Sequence, residues 1–420
     1  MFWIYNLLLP LLAPLWAPWM LWRSYRRKEK PDWGERFGRY RIRPSKDRMR
    51  IWLHAVSVGE VMAAAPILRE LRKQLPESEI LLSVTTSSGH SAARQKAEGL
   101  YDHLVYFPID LLRLQMRAME RVRPAVVAVM ESELWLNFFW SAKAFGARTL
   151  VLNGRISDRT FPRARKLGSL YRTILSHVDR CLMQTEKDAE RMRALGGKSV
   201  EVVGNTKFDE AAESLGADAE HWRRELKLPE EKPVIVVGST RGEEEERLVL
   251  DALKGIVPER AAAVLAPRHL ERAQAFLEAA RSRLGAAGLR SAGVGGPCIV
   301  LDTYGELASV YAVADVAVVG GGFENHGGQN LLQPLAHGKP VLHGPHFQNF
   351  AEAASAARDA GATRVCREAG ELRDSLLELL ESPEARSRMG EAAAAFVQSH
   401  LGASGRYAEA IAEEARLGGE

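Results

Sequence analysis

From residue 50 onward, short apolar runs alternate with longer stretches whose apolar positions recur every three or four residues. The first pattern suits strands buried on both faces and the second suits covering helices, so the chain reads as repeated βα units around mostly parallel sheets. The predicted strands are residues 50–55, 79–85, 103–107, 125–130, 148–152, 180–183 and 200–203. A polar stretch at 209–232 interrupts the rhythm, which resumes at 233–237, 261–265, 299–301, 316–319 and 340–342. Two consecutive α/β blocks of similar size follow. Residues 381–417 are rich in Ala and Glu and helical by propensity. The division expected is residues 1–30 as an anchor with a basic collar, 31–209 as a first Rossmann-like domain, 210–231 as a linker and 232–420 as a second, its last helix packing back on the first. Doubly wound sheets hold ligands at the carboxyl ends of their strands. Two such sheets facing a cleft suit the joining of two substrates.

The beginning of the chain breaks this pattern. Residues 1–22 carry no charge, and as one helix they would be about 33 Å long, against about 30 Å for a hydrocarbon core. Pro10, Pro14 and Pro18 each remove a backbone donor, which favours a helix lying in the interface over a straight spanning one. Trp3, Tyr5, Trp16, Trp19 and Trp22 suit the headgroup zone. Residues 23–50 follow with twelve Lys or Arg against four acids, a local excess of +8 that leaves −4 for residues 51–420 within a total of +4. The collar favours an anionic cytoplasmic leaflet. No nucleic-acid motif accompanies it, so nucleic acid is not the expected partner. The alternative is an apolar helix docked on a core or on a partner.

With 46% apolar and 26% charged residues over 420 positions, the chain can bury large cores and is not disordered. Cys181, Cys298 and Cys366 are too far apart for a CxxC knuckle and offer no disulfide framework, as expected of a reduced compartment.

Candidate chemistry gathers at the predicted strand ends. Glu35, in Trp33 to Gly38, lies just after the collar, where a carboxylate can deprotonate a hydroxyl presented by a lipid. Its plain alternative is a helix-start Glu paired with Arg36. His54 to Glu60 joins a strand to a helix, with Ser57 as cap, Gly59 allowing an anion or sugar oxygen near the amides, and Glu60 in the first turn. Met130 to Asn137 puts Glu131 and Glu133 at the end of a buried strand, a costly place for acids without a partner or a function. Arg155 and Lys207 follow two more strand ends and are expected to face Glu131, to balance it or to bind an anion.

In the second block, residues 238–242 resemble a phosphate cradle without the Walker pattern. Pro267 and Arg268 close the next strand, Tyr304, Gly305 and Glu306 follow another, and glycines 320–322 and 327–328 precede Asn330, Leu331, Leu332 and Gln333. Such a glycine run is expected where backbone approaches a ligand at a helix N-terminus.

Together these motifs resemble those of the 3-deoxy-D-manno-octulosonic acid (Kdo) transferases of lipopolysaccharide assembly, from the N-terminal anchor to about Phe350. They are WGERFG, HAVSVGE, MESELW, the segment 153–157, GNTKFD, APRH, TYGEL, GGG followed by GGQN, and GPH. The resemblance implies the two-domain GT-B glycosyltransferase fold and transfer of Kdo from CMP-Kdo to a lipid A precursor. It further implies inversion at the anomeric carbon, no metal or other cofactor, and a place on the cytoplasmic face of the inner membrane. Glu35 would be the general base, and Glu131 and Lys207 would stabilise the transition state. Donor contacts would fall on Pro267, Arg268, Tyr304, Gly305, Glu306, Asn330, Leu331, Leu332 and Gln333, with Ser57, Gly59, Glu60 and Arg155 lining the cleft. An activated sugar brings its own leaving group, so alignment, proton removal and charge balance suffice. No DxD motif of a metal–pyrophosphate site is present.

Two positions depart from the family pattern. Gln333 stands for a Glu, which removes a charge-assisted bond worth about 1–2 kcal/mol of donor binding. Leu136 stands for a Pro. The rival readings are a nucleotide-sugar epimerase, against which Glu35 and the anchor argue, and a membrane-anchored sugar-nucleotide binding module without turnover.

Overall fold

The computed structural model describes residues 1–26, 29–43 and 48–418, and the chain divides into two compact units, Met1–Glu210 with Gly402–Glu420, and Ala211–Leu401. Of the basic collar, Arg27, Lys28, Lys46 and Asp47 lie outside the described residues.

The first unit carries β1 (Arg50–His54), β2 (Glu79–Val84), β3 (His103–Tyr106), β4 (Val126–Met130), β5 (Arg148–Gly154), β6 (Arg180–Met183) and β7 (Val200–Val202). They form one parallel sheet in the order β3-β2-β1-β4-β5-β6-β7. β4, Val-Val-Ala-Val-Met, is buried along its whole length because helices cover both faces. On one face Trp52, Val127, Phe138 and Phe139 pack together, and on the other Leu53, Leu68, Ala128, Tyr407 and Ile411.

The second unit carries β8 (Val234–Thr240), β9 (Ala262–Pro267), β10 (Gly288–Leu289), β11 (Cys298–Val300), β12 (Val316–Val319), β13 (Val341–His343) and β14 (Thr363–Val365), parallel in the order β10-β11-β9-β8-β12-β13-β14. β10 and β14 were not among the predicted strands. Both are edge strands of two or three residues, too short for an apolar run to register.

Two boundaries differ from expectation. The expected linker contains a helix, Ala219–Glu225, and its Leu226 and Leu228 are buried while Arg290 bonds the Glu225 carbonyl, which ties it to the second unit. The helix Ala403–Leu417, expected to pack back on the first domain, lies within the first unit, so the second unit ends at Leu401 and not at residue 420.

The apolar N-terminus forms two helices, Phe2–Leu11 and Ala13–Arg26, bent by 66°. Pro14 contributes to the break, since it supplies no donor to the preceding turn. Among the described residues no single helix is long and apolar enough to cross a membrane, although the bent pair passes that test by length and composition. The first helix docks on its unit through Tyr5, which donates to Asp110 at 2.8 Å, and Asn6, which donates to Asn137 at 2.9 Å. Phe2 packs on Trp140 with ring centres 5.0 Å apart.

Candidate active site

In the first sheet the strand order reverses between β1 and β4, and doubly wound sheets place their ligands beyond the carboxyl ends at such a point. The short helix Trp33–Arg36 lies to one side of this point, at the carboxyl ends of β2 and β3. Asp32 caps it by accepting the Glu35 amide at 3.1 Å, and the Arg36 guanidinium donates to the carbonyls of Phe107 (3.0 Å) and Thr85, fastening the loop after β2 and β3. Glu35 is therefore not paired with Arg36. Its Oε2 accepts the Tyr106 amide at 2.7 Å, and Oε1 has no hydrogen bond among the described residues. Burial raises the Glu35 pKa, the Tyr106 amide offsets part of the rise, and the neighbouring charges of Asp32 and Arg41 oppose one another. A half-buried carboxylate with one tethered and one open oxygen is suited to taking a proton.

Ser57 occupies the N-cap position of the helix Val58–Gln74, yet it caps no amide. Instead Glu60 closes the turn, accepting the Val56 amide at 2.8 Å and the Ser57 hydroxyl at 3.2 Å. The protein's own carboxylate thus occupies the place expected for an anion. A Cβ at Gly59 would meet nothing within 4 Å, so packing does not demand glycine there. Burial, chiefly, and the nearby Glu131 and Glu133 push the Glu60 pKa up to about 8, while the Val56 amide and the Ser57 hydroxyl oppose the rise. Burial also raises Glu133, which accepts the Trp135 indole N–H at 3.1 Å.

Glu131, at the end of β4, has φ +55°, and Asn153, in adjacent β5, has φ +52°. Left-handed geometry at two non-glycine residues on neighbouring strand ends costs on the order of 1–3 kcal/mol each and clusters at functional sites. The Glu131 amide donates to Leu152, the Ser132 hydroxyl to the Arg155 carbonyl, and the Thr206 amide to Asn153 Oδ1 at 3.3 Å. Lys207 follows, its amide held by Asn205 at 3.0 Å. The loops bearing Glu131, Arg155 and Lys207 are thereby held at the carboxyl ends of β4, β5 and β7, whereas Glu35 is tied to the end of β3, the outer strand on the other side of the sheet. Sequence reasoning assigned no role to His54, which is buried and stacked on Phe107 at 3.9 Å, its Nδ1 2.9 Å from the Ser83 hydroxyl. Burial depresses its pKa to about 3, so it is neutral and architectural.

In the second sheet the order reverses between β8 and β12. The glycine run after β12 is not an open cradle. Amides of Arg241 (2.6 Å), Gly321 (2.8 Å) and Phe323 (3.1 Å) all donate to the carboxylate of Glu245, a buried residue of the helix Glu243–Leu253. Burial raises the Glu245 pKa and these amides pull it back. The glycines answer to close packing: a Cβ on Gly320 would lie 2.6 Å from the Thr240 backbone, and one on Gly322 would lie 2.2 Å from the Phe347 ring.

Of the expected donor contacts, Pro267 is buried at the end of β9, and Arg268 is exposed with its amide on the Thr240 carbonyl at 2.8 Å. After β11, Tyr304 is 80% exposed beside Gly305, and Glu306 accepts from Arg290 at 3.3 Å and from the Thr303 hydroxyl. Asn330 Oδ1 accepts the Leu332 amide at 3.0 Å. Leu331 and Leu332 are buried, so their side chains are core and their backbone is what they can offer a ligand. Gln333 is half-buried in the helix Leu332–Ala336.

Residues 31–210 match the family model described as 3-Deoxy-D-manno-octulosonic-acid transferase (kdotransferase). The chain is 37% identical to the 3-deoxy-D-manno-octulosonic acid transferase of Bordetella pertussis, over 97% of this chain and 98% of that one. Its fold is similar to that of UDP-GlcNAc 2-epimerase from Neisseria meningitidis, at a TM-score of 0.62 and 14% identity over 88% of this chain and 100% of that one. CalG4, the calicheamicin glycosyltransferase, is similar at 0.52 and 15% identity, over 89% and 99%. An epimerase and a transferase share this fold, so the fold does not choose between them. The near full-length identity does: this chain, with its two parallel-sheet α/β units, belongs to the 3-deoxy-D-manno-octulosonic acid transferase family of glycosyltransferases.

Proposed function

We propose that the protein transfers Kdo from CMP-Kdo to a lipid A precursor, with inversion and without a metal, on the cytoplasmic face of the inner membrane. The observation that carries this reading is the Glu35 carboxylate, tethered through Oε2 to the Tyr106 amide, open at Oε1, and raised in pKa by burial. It acts as the general base on the acceptor hydroxyl. Such a base contributes about 10²- to 10⁴-fold when its pKa is brought towards the working pH. Glu131 and Lys207 serve charge development during transfer, and Arg268, Tyr304, Glu306, Asn330 and Gln333 hold the cytidine donor. The exposed Trp3, Leu7, Leu11, Leu15, Trp19 and Trp22 on the two N-terminal helices, with Arg23 over Trp19 and Arg26 over Trp22, support a helix pair lying in the headgroup zone. Incubation with CMP-Kdo and a tetra-acylated lipid A precursor, followed by mass spectrometry, tests the reading. A product heavier by one or more Kdo residues is expected, and CMP binding without any such product refutes it.

A further inference from the structure

A cavity of about 300 Å³ lies within the first unit, where the N-terminal helices meet the carboxyl ends of β2 and β3. The helices contribute Leu9, Trp16 and Met20, and the sheet end contributes Phe107, Pro108 and Trp135. Most of its polar groups are already engaged. Asp110 accepts from Tyr5 at 2.8 Å and from the Phe138 amide at 3.0 Å, Arg36 is spent on two carbonyls, and the Trp16 indole donates to the Leu9 carbonyl at 2.8 Å. Burial lifts the Asp110 carboxyl to about 7, which lowers the charge it presents. Such an interior rewards hydrocarbon over sugar or water.

Its placement is specific. Trp33 and Arg36 line the cavity, and Glu35 stands between them on the same helical turn. Arg23, also on the lining, puts a cation where an anionic headgroup would sit. Trp19 lines the cavity and is also exposed, as is nearby Leu15, so apolar surface runs from outside the protein to the cavity.

We infer that this cavity receives one acyl chain of the acceptor glycolipid and by holding it sets the acceptor hydroxyl beside Glu35. The inference rests on the function proposed above. Taking a methylene as comparable to one water in the liquid, about 30 Å³, the space holds roughly ten carbons, one chain and not two. Each methylene that enters is expected to improve acceptor binding about fourfold.

The test compares the full chain with Leu9→Trp and Met20→Trp, which fill the cavity from helices that bury no residue fully. Transfer is measured on an acylated acceptor and on the same headgroup with its chains removed. The expected result is a KM increase for the acylated acceptor at least tenfold larger than any change for the deacylated one. For the unaltered protein, KM should also fall about fourfold per added carbon up to about ten. Equal losses on both acceptors, or a KM indifferent to acceptor chain length, overturn the inference, the second outcome assigning the cavity to a bulk phospholipid. A dansylated fatty acid gives an independent readout, since it should bind the unaltered protein and be excluded by Leu9→Trp, and unchanged binding by the variant counts against the site. Failure of the unaltered protein to transfer to either acceptor would sink the proposed function, while fatty-acid binding would still report on the cavity.

Discussion

Replacing Glu35 by Gln and by Ala separates chemistry from architecture. The carboxylate accepts the Tyr106 amide at 2.7 Å through one oxygen. Gln keeps an acceptor for that amide and loses the basic oxygen, so Glu35→Gln should fold as the native chain does. Removing a general base costs about 10²- to 10⁴-fold in kcat, or roughly 3–5 kcal/mol at 1.36 kcal/mol per decade. Glu35→Ala leaves the Tyr106 amide without its acceptor as well, which adds about 1–3 kcal/mol of destabilisation, visible as a lower Tm. Both variants should bind CMP as the native protein does. Because burial raises the Glu35 pKa, the acid limb of the kcat/KM profile should lie above the ordinary carboxylate range, with rate lost as pH falls through it. In Glu35→Gln that limb should vanish from the residual activity. Turnover within tenfold of native in Glu35→Gln, or an unchanged acid limb, would refute the assignment of Glu35 as base.

Asp110 gives a stability prediction. Its folded pKa, about 7, lies above the unfolded value of 3.8, so the folded state binds more protons between these values. Stability should therefore be greatest below pH 3.8 as far as this group is concerned, fall by about 4 kcal/mol as pH rises to about 7, and be flat above. In Asp110→Asn the slope of Tm against pH over that window should be shallower than in the native chain, and parallel curves would contradict the burial argument. Glu245→Ala strands three amides and should destabilise the second unit by about 3–5 kcal/mol in denaturant unfolding, with weaker CMP binding by calorimetry. Gln333→Glu should tighten CMP-Kdo binding by about 5- to 30-fold if a ribose hydroxyl donates to this side chain, and an unchanged Kd would show that it does not.

The sheets were legible wherever burial on both faces made strands continuously apolar, as in Val126–Met130 and Val316–Val319. Gly288–Leu289 and Thr363–Val365 were hidden because edge strands of that length carry no pattern of their own. Glu131 and Lys207 stand out because acids and cations at strand ends are chemically costly, and Glu35 because it lies in the Trp33–Gly38 segment next to the basic collar. The anchoring of Glu35 was not legible, because Arg36 reaches main-chain carbonyls at Thr85 and Phe107, and carbonyls leave no trace in residue identity. The packing around the glycine run was hidden for a similar reason. The Gly321 amide is matched to Glu245, about 75 residues earlier in an acid-rich helix start where no single acid stands out. Asp110 passed unnoticed in an apolar stretch because its partners, Tyr5 and Asn137, come from distant parts of the chain.

Asp209 accepts the amides of Gly402 and Ser404, each at 2.7 Å, and Tyr407 donates to the Gly204 carbonyl at 2.7 Å. The strand of polypeptide that leaves the first unit and the one that comes back are thus pinned at a single place. In chain order the second unit is inserted between two segments of the first. During synthesis at about 5–20 residues per second, the ribosome needs roughly 10–40 s to pass from residue 210 to residue 402. Through that interval the nascent first unit waits with the surface meant for Tyr407 and Ile411 still uncovered, a window in which chaperones have something to hold.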